Sequence, residues 1–302
     1  MYYILYGFLY LFSLLPFFII YRISDFVYFI LYHVSGYRKK IVMDNLAIAF
    51  PEKTTEERVA IAKQFYKNLI DTFLESIKLL SMSDKTFARR AVMDLTEVNK
   101  LIAKGKNIQM HSGHQMNWEY GHWAVATQMP IPWVGVYMRI ASKPVDRLFR
   151  KLRNKGTTVL VGVHEFKSRA HSVFNEQFAL GLIADQNPGN PNTAYWLNFF
   201  GKPVPFATGP DKGARKNNPA IVFVKFIKLK RGYYRFDIKV VAEEGAVFKE
   251  GELTRLYRDF LEDAIRQDPA NYLWTHRRWR RGYKADYDKR WIDNAPPLHD
   301  QN

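Results

Sequence analysis

Cysteine is absent from this chain of 302 residues. Its absence excludes disulfide bonds, a thiolate nucleophile and any zinc site that depends on cysteine ligands. Acidic residues are also few, at 29 Asp and Glu against 45 Lys and Arg, so the formal net charge is +16. This excess predicts an anionic partner: a nucleic acid, a phosphorylated substrate, an acidic protein or an anionic membrane surface.

Long apolar runs are missing from most of the chain and occur only near its amino end. Residues 2–21 contain no charge and no Asn or Gln, which predicts one helix about long enough to span a bilayer. The first cation, Arg22, follows this run, so the positive-inside rule predicts a cytoplasmic position for the rest of the chain. Residues 26–34 are too short to span and predict an interfacial or re-entrant segment, with a buried core helix as the alternative. A nucleic acid partner leaves this segment unexplained, so no nucleic acid is expected.

The remainder of the chain alternates between strand and helix patterns. This alternation predicts an α/β fold with a mostly parallel central sheet and helices on both faces. Strands are predicted at 107–110, 131–137, 157–161, 178–184 and 219–227. Helices between them are predicted at 118–128, 143–154, 165–175 and 209–217.

Two amphipathic helices and a hairpin complete the predicted fold. The helices cover 54–80 and 253–266, and the hairpin joins 221–229 to 233–241 at one edge of the sheet. The expected organisation is an amino-terminal membrane anchor in 1–36, one folded domain in 37–290 and a polar tail in 291–302.

The loop between the strand at 107–110 and the helix at 118–128 is the first candidate site. Such loops lie at the carboxyl edge of a parallel sheet, where α/β proteins usually bind ligands. His114 lies in this loop, and Glu119 falls in the first turn of the following helix. A carboxylate that contacts the imidazole there fixes its tautomer and makes it a better general base.

Two other interpretations of these residues stay open. The pair of His114 and Glu119 is also compatible with a structural ion pair. His111, His114, Glu119 and His122 together resemble a metal-ligand cluster, although the zinc-protease spacing H-E-x-x-H is absent. No metal is expected on that ground.

Three further segments combine charge with a suggestive position. The predicted helix at 143–154 carries cations around most of its surface, including Arg150, which suits phosphate binding or a solvated face. Asp185 closes an apolar strand at the carboxyl edge of the sheet. Residues 272–281 alternate aromatic side chains with arginines, including Arg277 and Arg278, which suits stacking and phosphate binding or a membrane contact.

Five segments, in this order along the chain, resemble the motifs of the late acyltransferases of lipid A biosynthesis. His114-Gln115-Met116-Asn117-Trp118-Glu119 is similar to the H-x4-D/E motif of that family. The other similar segments are 45–52, 184–187, 199–203 and 272–279, so the resemblance extends from residue 45 to residue 279.

The resemblance implies a glycerolipid-acyltransferase-like fold and an enzyme of the inner membrane whose catalytic domain faces the cytoplasm. Such an enzyme moves a fatty acyl chain from acyl carrier protein to a hydroxyl of a phosphorylated glycolipid, the lipid A precursor, without a cofactor. His114 and Glu119 match the catalytic pair, and Arg150 and Asp185 match positions that the family needs for activity. The remaining expected substrate-binding residues are Asn117, Arg139, Arg277 and Arg278.

One departure from the family pattern concerns the residues after Val136-Tyr137. The family often has Arg-Pro there, whereas this chain has Met138-Arg139. The role of Arg139 and the identity of the acceptor therefore stay open, with a lysophospholipid or an aminoacyl lipid as alternatives. A non-catalytic basic membrane scaffold, in which His114 and Glu119 only pack, is the alternative from another class.

The chemistry of such a transfer is compatible with the composition. A histidine base activates a hydroxyl for direct attack on a thioester, so no cysteine nucleophile is required. The developing oxyanion needs hydrogen-bond donors, for which backbone N–H groups around Gly113 or a nearby arginine are the candidates.

Overall fold

Strands and helices alternate from residue 91 onward in the computed structural model, which describes residues 1–166, 168, 176–294 and 296–297. The strands are β1 Ala91–Met93, β2 Ile108–Ser112, β3 Trp133–Tyr137, β4 Thr158–Gly162, β5 Ala179–Ile183, β6 Tyr195–Phe199, β7 Lys202–Phe206, β8 Ala220–Lys230 and β9 Tyr233–Ala242. The α-helices are α1 Tyr2–Leu14, α2 Phe17–Phe29, α3 Lys39–Ala49, α4 Thr55–Lys78, α5 Asp84–Ala88, α6 Thr96–Ala103, α7 Trp118–Gln128, α8 Lys143–Arg153, α9 Gly209–Asn217 and α10 Glu252–Gln267. The predicted helix at 165–175 lies mostly outside the described residues.

The central sheet has the strand order β1-β9-β8-β2-β5-β3-β4 within the described ranges. Five neighbouring strands, from β8 to β4, are parallel, while β9 runs antiparallel to β8 and parallel to β1. The predicted α/β fold with a mostly parallel sheet is therefore confirmed. The predicted hairpin is present as β8–β9, but it is not at the edge, because the three-residue strand β1 pairs with β9. A strand of that length is too short to show an alternating pattern.

Side chains of alternate residues divide the core between the two faces of the sheet. On β8, Val222 and Val224 pack with α5, α6 and α7, whereas Ile221 and Phe223 pack with α3, α4 and α10. The antiparallel ribbon β6–β7, which the sequence did not predict, adds Phe199 to the second layer. Because both faces are covered, polar atoms of the sheet reach solvent mainly at its ends.

The amino-terminal apolar run forms two helices and not the single helix predicted for residues 2–21. The chain leaves the helical conformation at Leu15 (φ −56°, ψ 141°), directly before Pro16. A proline disfavours helical geometry in the preceding residue and lacks the N–H that would continue the helix. The described helix that is long and apolar enough to cross a membrane is instead Phe17–Val34, which comprises α2 and a π-helical turn, Ile30–Val34.

The segments at the two ends of the chain contact the central part. In the predicted anchor, Ser24 donates a hydrogen bond to Asp71 of α4 at 2.6 Å. In the predicted tail, Asp293 pairs with Arg258 of α10 at 2.9 Å. The domain limits at residues 36 and 290 stay predictions, but both end segments pack on the domain between them.

Candidate active site

His114 and Asp185 meet at the carboxyl edge of the sheet. They come together because β2 and β5 are parallel neighbours in which Ser112 lies opposite Ile183, so the residues after both strands lie side by side. Asp185 Oδ1 lies 2.6 Å from His114 Nδ1, and Asp185 Oδ2 accepts the backbone N–H of His114 at 3.0 Å. One carboxylate therefore fixes both the ring and the backbone of the histidine.

Asp185 is more deeply buried than His114. Asp185 is fully buried, while the side chain of His114 is 24% exposed. Burial alone raises the pKa of Asp185, but the charge of His114 and hydrogen bonds from His114 and Tyr272 outweigh it and lower that pKa to about 2. An ionised Asp185 accepts a proton-bearing Nδ1, so the lone pair of the neutral imidazole is on Nε2.

Glu119 does not contact His114 as the spacing predicted. Its carboxylate is buried and accepts hydrogen bonds at 3.0 and 3.1 Å from Nε of Arg153, at the end of α8, together with a further bond from Nη2. The first turn of α7 points Glu119 toward α8, whereas the loop directs His114 toward β5. The histidine is thus oriented by Asp185, and the catalytic role assigned to Glu119 stays a prediction.

Asn117 caps the amino terminus of helix α7. It is fully buried, and its side-chain oxygen accepts the backbone N–H groups of Glu119 and Tyr120. Its amide nitrogen donates to Glu75 Oε2 at 3.1 Å. Both ends of the side chain thus hold the start of the helix in place, and the substrate contact assigned to Asn117 stays a prediction.

The carboxylate of Glu75 on α4 accepts hydrogen bonds from several side chains around this cap. Its carboxylate also accepts the hydroxyls of Tyr234 at 2.7 Å and Tyr21 at 3.1 Å. Desolvation by burial raises the pKa of Glu75, and the charge of nearby Lys228 opposes that rise. No sequence pattern predicted this cluster, because its members come from four separate elements.

The other two histidines of the suspected metal cluster have structural partners. The ring of His111 packs against the rings of Phe223 and Tyr257, and its Nε2 lies 2.8 Å from Nε2 of Gln109. Nε2 of His122 contacts the carbonyl oxygen of Arg153 at 2.7 Å, and its Nδ1 accepts a hydrogen bond from Trp133. Within the described ranges, no group of three histidine or carboxylate side chains is arranged to hold a metal ion.

His111 predicts a pH dependence of stability that is separate from activity. Burial lowers its pKa from 6.5 to about 3, so between these values the unfolded chain binds a proton that the folded chain does not. The free energy of unfolding therefore falls as the pH drops below 6.5, by up to about 1.4 kcal/mol per pH unit.

We expect the His111→Leu variant to keep its turnover and to show a weaker fall in melting temperature between pH 6.5 and pH 4.5. Thermal unfolding monitored across this pH range measures the change. The control variant His164→Leu, which removes an exposed histidine, should follow the wild-type curve. A His111→Leu curve parallel to the wild type contradicts the assignment.

Four of the five cations of α8 differ in their surroundings. Arg147 and Lys151 lie over the rings of Tyr2 and Tyr6 of α1, at 4.1 and 4.0 Å from the ring centroids. Arg153 pairs with Glu119, as described above. Arg150 is exposed and, among the described residues, has no recorded ion pair, so it is available to an anionic partner.

Three predicted substrate arginines have different surroundings. Arg139 is exposed and pairs with Glu165. Arg277 is exposed, and its carbonyl oxygen accepts Asn187 Nδ2 at 2.8 Å. Arg278 is instead buried, with its guanidinium 4.4 Å from the centroid of Phe206. Burial lowers the pKa of Arg278 to about 10, against the opposing effects of Tyr272 and Asp185, so it remains a cation within the protein interior.

Three backbone N–H groups in the loop that carries His114 already have hydrogen-bond acceptors. The N–H of His114 donates to Asp185, that of Gln115 donates to the carbonyl oxygen of Gly113, and that of Met116 donates to the carbonyl oxygen of Asn271. Of the oxyanion donors expected around Gly113, the backbone N–H groups of residues 114–116 are therefore already engaged.

Comparison with known proteins identifies the family of this chain. The family model for bacterial lipid A biosynthesis acyltransferases matches residues 1–281. The chain belongs to this family. It is 19% identical over 245 residues, covering 80% of this chain and 79% of the relative, to the lipid A biosynthesis palmitoleoyltransferase of Escherichia coli K12. The same values hold for the lipid A biosynthesis acyltransferase of Shigella flexneri.

The family motifs of this acyltransferase converge in space around residues 272–279. Asn45 donates to the carbonyl oxygens of Trp274 and His276, both at 2.8 Å. Asn187 accepts Arg278 Nη1 at 3.0 Å, and Phe199 stacks on Trp279 at 5.7 Å between centroids. The motifs that look independent in the sequence thus form one scaffold beside Asp185.

The sequence patterns predicted no individual role for two residues of the site. Tyr272 pairs across an antiparallel bridge with Gln115 and hydrogen bonds to Asp185. Arg153 partners Glu119. Tyr272 was within a recognised motif, but its hydroxyl had no visible partner before the fold was known. Arg153 was one of several cations on α8, and only the packing of α7 on α8 selects it.

Proposed function

We propose that this acyltransferase moves a fatty acyl chain from acyl carrier protein to a hydroxyl of a lipid A precursor, with His114 as general base. The observation that carries the proposal is the contact of His114 with Asp185 at the carboxyl edge of the sheet. It leaves Nε2 of a partly exposed imidazole free to accept a proton. Membership of the lipid A acyltransferase family supports the reaction class and the acceptor.

The transfer is completed without a covalent enzyme intermediate. His114 Nε2 removes the proton of the acceptor hydroxyl while its oxygen attacks the thioester carbonyl carbon. The tetrahedral intermediate collapses as the carbon–sulfur bond breaks, and the imidazolium returns the proton to the departing thiolate. Asp185 stabilises the imidazolium that exists between these two proton transfers.

Exposed apolar side chains at the edge of the sheet that carries the dyad suit a fatty acyl chain. Met138, Val163 and Ile183 directly follow or end strands β3, β4 and β5, and they are 72%, 47% and 41% exposed. All three strands end at the edge that carries His114. Clustered apolar exposure of this kind marks binding surfaces more often than random scatter does.

The proposed donor explains the exposed cation Arg150, because acyl carrier protein presents an acidic surface. We expect Arg150→Glu to raise the KM for the acyl carrier thioester about tenfold at low ionic strength, with little change in turnover number. The effect should shrink near 1 M salt, where the screening length is about 3 Å. Steady-state kinetics at several salt concentrations measure it.

Lys216→Glu provides the control for charge reversal, since Lys216 is an exposed cation at the end of α9, beside the amino edge of the sheet. It should leave the KM unchanged at every salt concentration. An Arg150→Glu effect that does not depend on ionic strength contradicts a docking role.

The proposed function is tested by the lipids of a strain that lacks the protein. Mass spectrometry should show lipid A that is short of one acyl chain, restored by the wild-type gene and not by the His114→Ala gene. In vitro, purified enzyme should use the acyl carrier thioester in preference to the coenzyme A thioester. Unchanged lipid A together with altered phospholipid or aminoacyl lipid assigns the alternative acceptor.

We also propose that the enzyme works at the cytoplasmic face of the inner membrane. The acyl carrier thioester and the lipid precursor are both reached from that side, and the net charge of +16 suits an anionic leaflet.

A further inference from the structure

Both amino-terminal helices present large apolar side chains to solvent. On α1, Ile4, Phe8 and Leu11 follow helical spacing on one face and are 78%, 67% and 67% exposed. On α2, Phe18 and Phe26 are 69% and 64% exposed. Soluble proteins rarely expose so many large apolar side chains on two successive helices without a partner.

The opposite face of α2 lies along α4 over its whole length. The ammonium group of Lys78 lies over the ring of Phe17, and Ser24 donates a hydrogen bond to Asp71. The rings of Tyr32 and Tyr66 meet edge to face, with 5.4 Å between their centroids. As the residue number rises along α2, it falls along α4, so the two helices are antiparallel partners. α2 therefore cannot change its direction without α4.

A membrane-spanning orientation of α2 conflicts with these contacts. Asp25 lies in the middle of the apolar stretch Phe17–Val34 and pairs with Arg231 at 2.8 Å. The helix that would have to follow α2 into the bilayer carries Lys67, Asp71 and Lys78 toward it. Charged groups at the bilayer centre cost several kcal/mol each, so a spanning α2 would have to leave α4 and break these pairs.

Cations flank the apolar surface where a leaflet would place its headgroups. At the start of α1, Arg147 and Lys151 lie beside Tyr2 and Tyr6. At the end of the π-helical turn, Arg38, Lys39 and Lys40 are all exposed. An apolar face between basic ends is typical of a helix that lies in the interface of an anionic membrane.

We propose that α1 and α2 bind the enzyme to one leaflet of an anionic bilayer by lying in the plane of the interface, without crossing it. The inserted side chains are Ile4, Phe8, Leu11, Phe18 and Phe26. This inference concerns the mode of attachment alone and does not depend on the proposed acyl donor or acceptor.

The native absence of cysteine makes a depth measurement direct. Single cysteines at Phe18, Phe26 and Val34 of the full-length protein are labelled with an environment-sensitive fluorophore. The protein is bound to vesicles of phosphatidylglycerol and phosphatidylethanolamine, and lipids carrying quenchers at defined depths report the position of each label. We expect all three labels at the same shallow depth.

A spanning helix gives a different result, because residues 18 and 34 are about 24 Å apart along a helix that rises 1.5 Å per residue. Labels at graded depths, with position 26 near the bilayer centre, overturn the proposal. Labelling of a cysteine at Tyr3 by an impermeant maleimide added outside intact spheroplasts overturns it as well.

Binding assays add a matched pair of variants. Phe26→Asp should lower the vesicle partition coefficient at least tenfold, since burying a phenylalanine is worth that factor or more. Val247→Asp changes a side chain that is also 64% exposed but lies far along the chain, and it should bind like the wild type. Equal binding of both variants, or a lipid-independent dimer that hides the labels, contradicts an interfacial role for this face.

Discussion

The Asp185→Asn variant should lose about 10³-fold or more of its turnover number, with His114 still in place. The amide that replaces the carboxylate presents an N–H to the imidazole and favours the tautomer whose proton is on Nε2, where the base must be free. A carboxylate that orients a catalytic histidine typically has an effect of this size. Turnover with saturating substrates, on protein of verified melting temperature, measures the loss.

His114→Ala should lower turnover at least as much, by about 10³-fold or more, because Asp185 acts through the imidazole. The double variant should be no worse than His114→Ala alone. Residues that act as one unit show this non-additivity. Losses that multiply in the double variant contradict a dyad. Near-normal turnover in a well-folded His114→Ala protein removes the general base from the mechanism.

The pair of Glu119 and Arg153 should show the largest effect on stability. Glu119 is 2% exposed, while Arg153 is 23% exposed. Arg153→Met leaves a buried carboxylate without its partner and should lower the free energy of unfolding by about 3–5 kcal/mol. Glu119→Gln leaves the more exposed partner behind and should cost less. Chemical denaturation in detergent measures both values.

The double variant Glu119→Gln/Arg153→Met separates stability from catalysis. It removes both charges, so most of the stability should return. If Glu119 only supports the fold, turnover returns with it, whereas a catalytic Glu119 leaves the refolded variant inactive. The control Lys40→Met breaks an exposed pair, 86% and 56% exposed, and should change stability by about 1 kcal/mol or less.

The sequence predicted the centre of the molecule better than its ends. The parallel strands and α7 follow from regular patterns, and the rule that ligand-binding residues follow parallel strands selected both His114 and Asp185. Their mutual contact was missed because nothing in a single chain says which strands are neighbours. The order β2-β5 is a tertiary fact that places residues 71 positions apart in contact.

Two errors have local physical causes. The single helix predicted over residues 2–21 rested on apolar composition, although Pro16 was visible and ends a helix by its geometry. The contact of Glu119 with His114 rested on a spacing that several loop conformations satisfy. Asn117 selects one of these loop conformations, because its side chain caps the first turn of α7 and so fixes the direction in which Glu119 points.

The carboxylate of Glu75 has a consequence for any attempt to prepare a soluble form of this enzyme. It holds Tyr21 from the membrane-facing helix and Asn117 from the start of α7 at the same time. Deleting the amino-terminal helices to improve solubility therefore also removes a hydrogen-bond donor from Glu75, which holds the start of α7 next to the loop that carries His114. Substitutions confined to the outward face, such as Phe8→Asp and Phe26→Asp, keep Tyr21 in place and offer a route to an enzyme that is water-soluble and still intact at its centre.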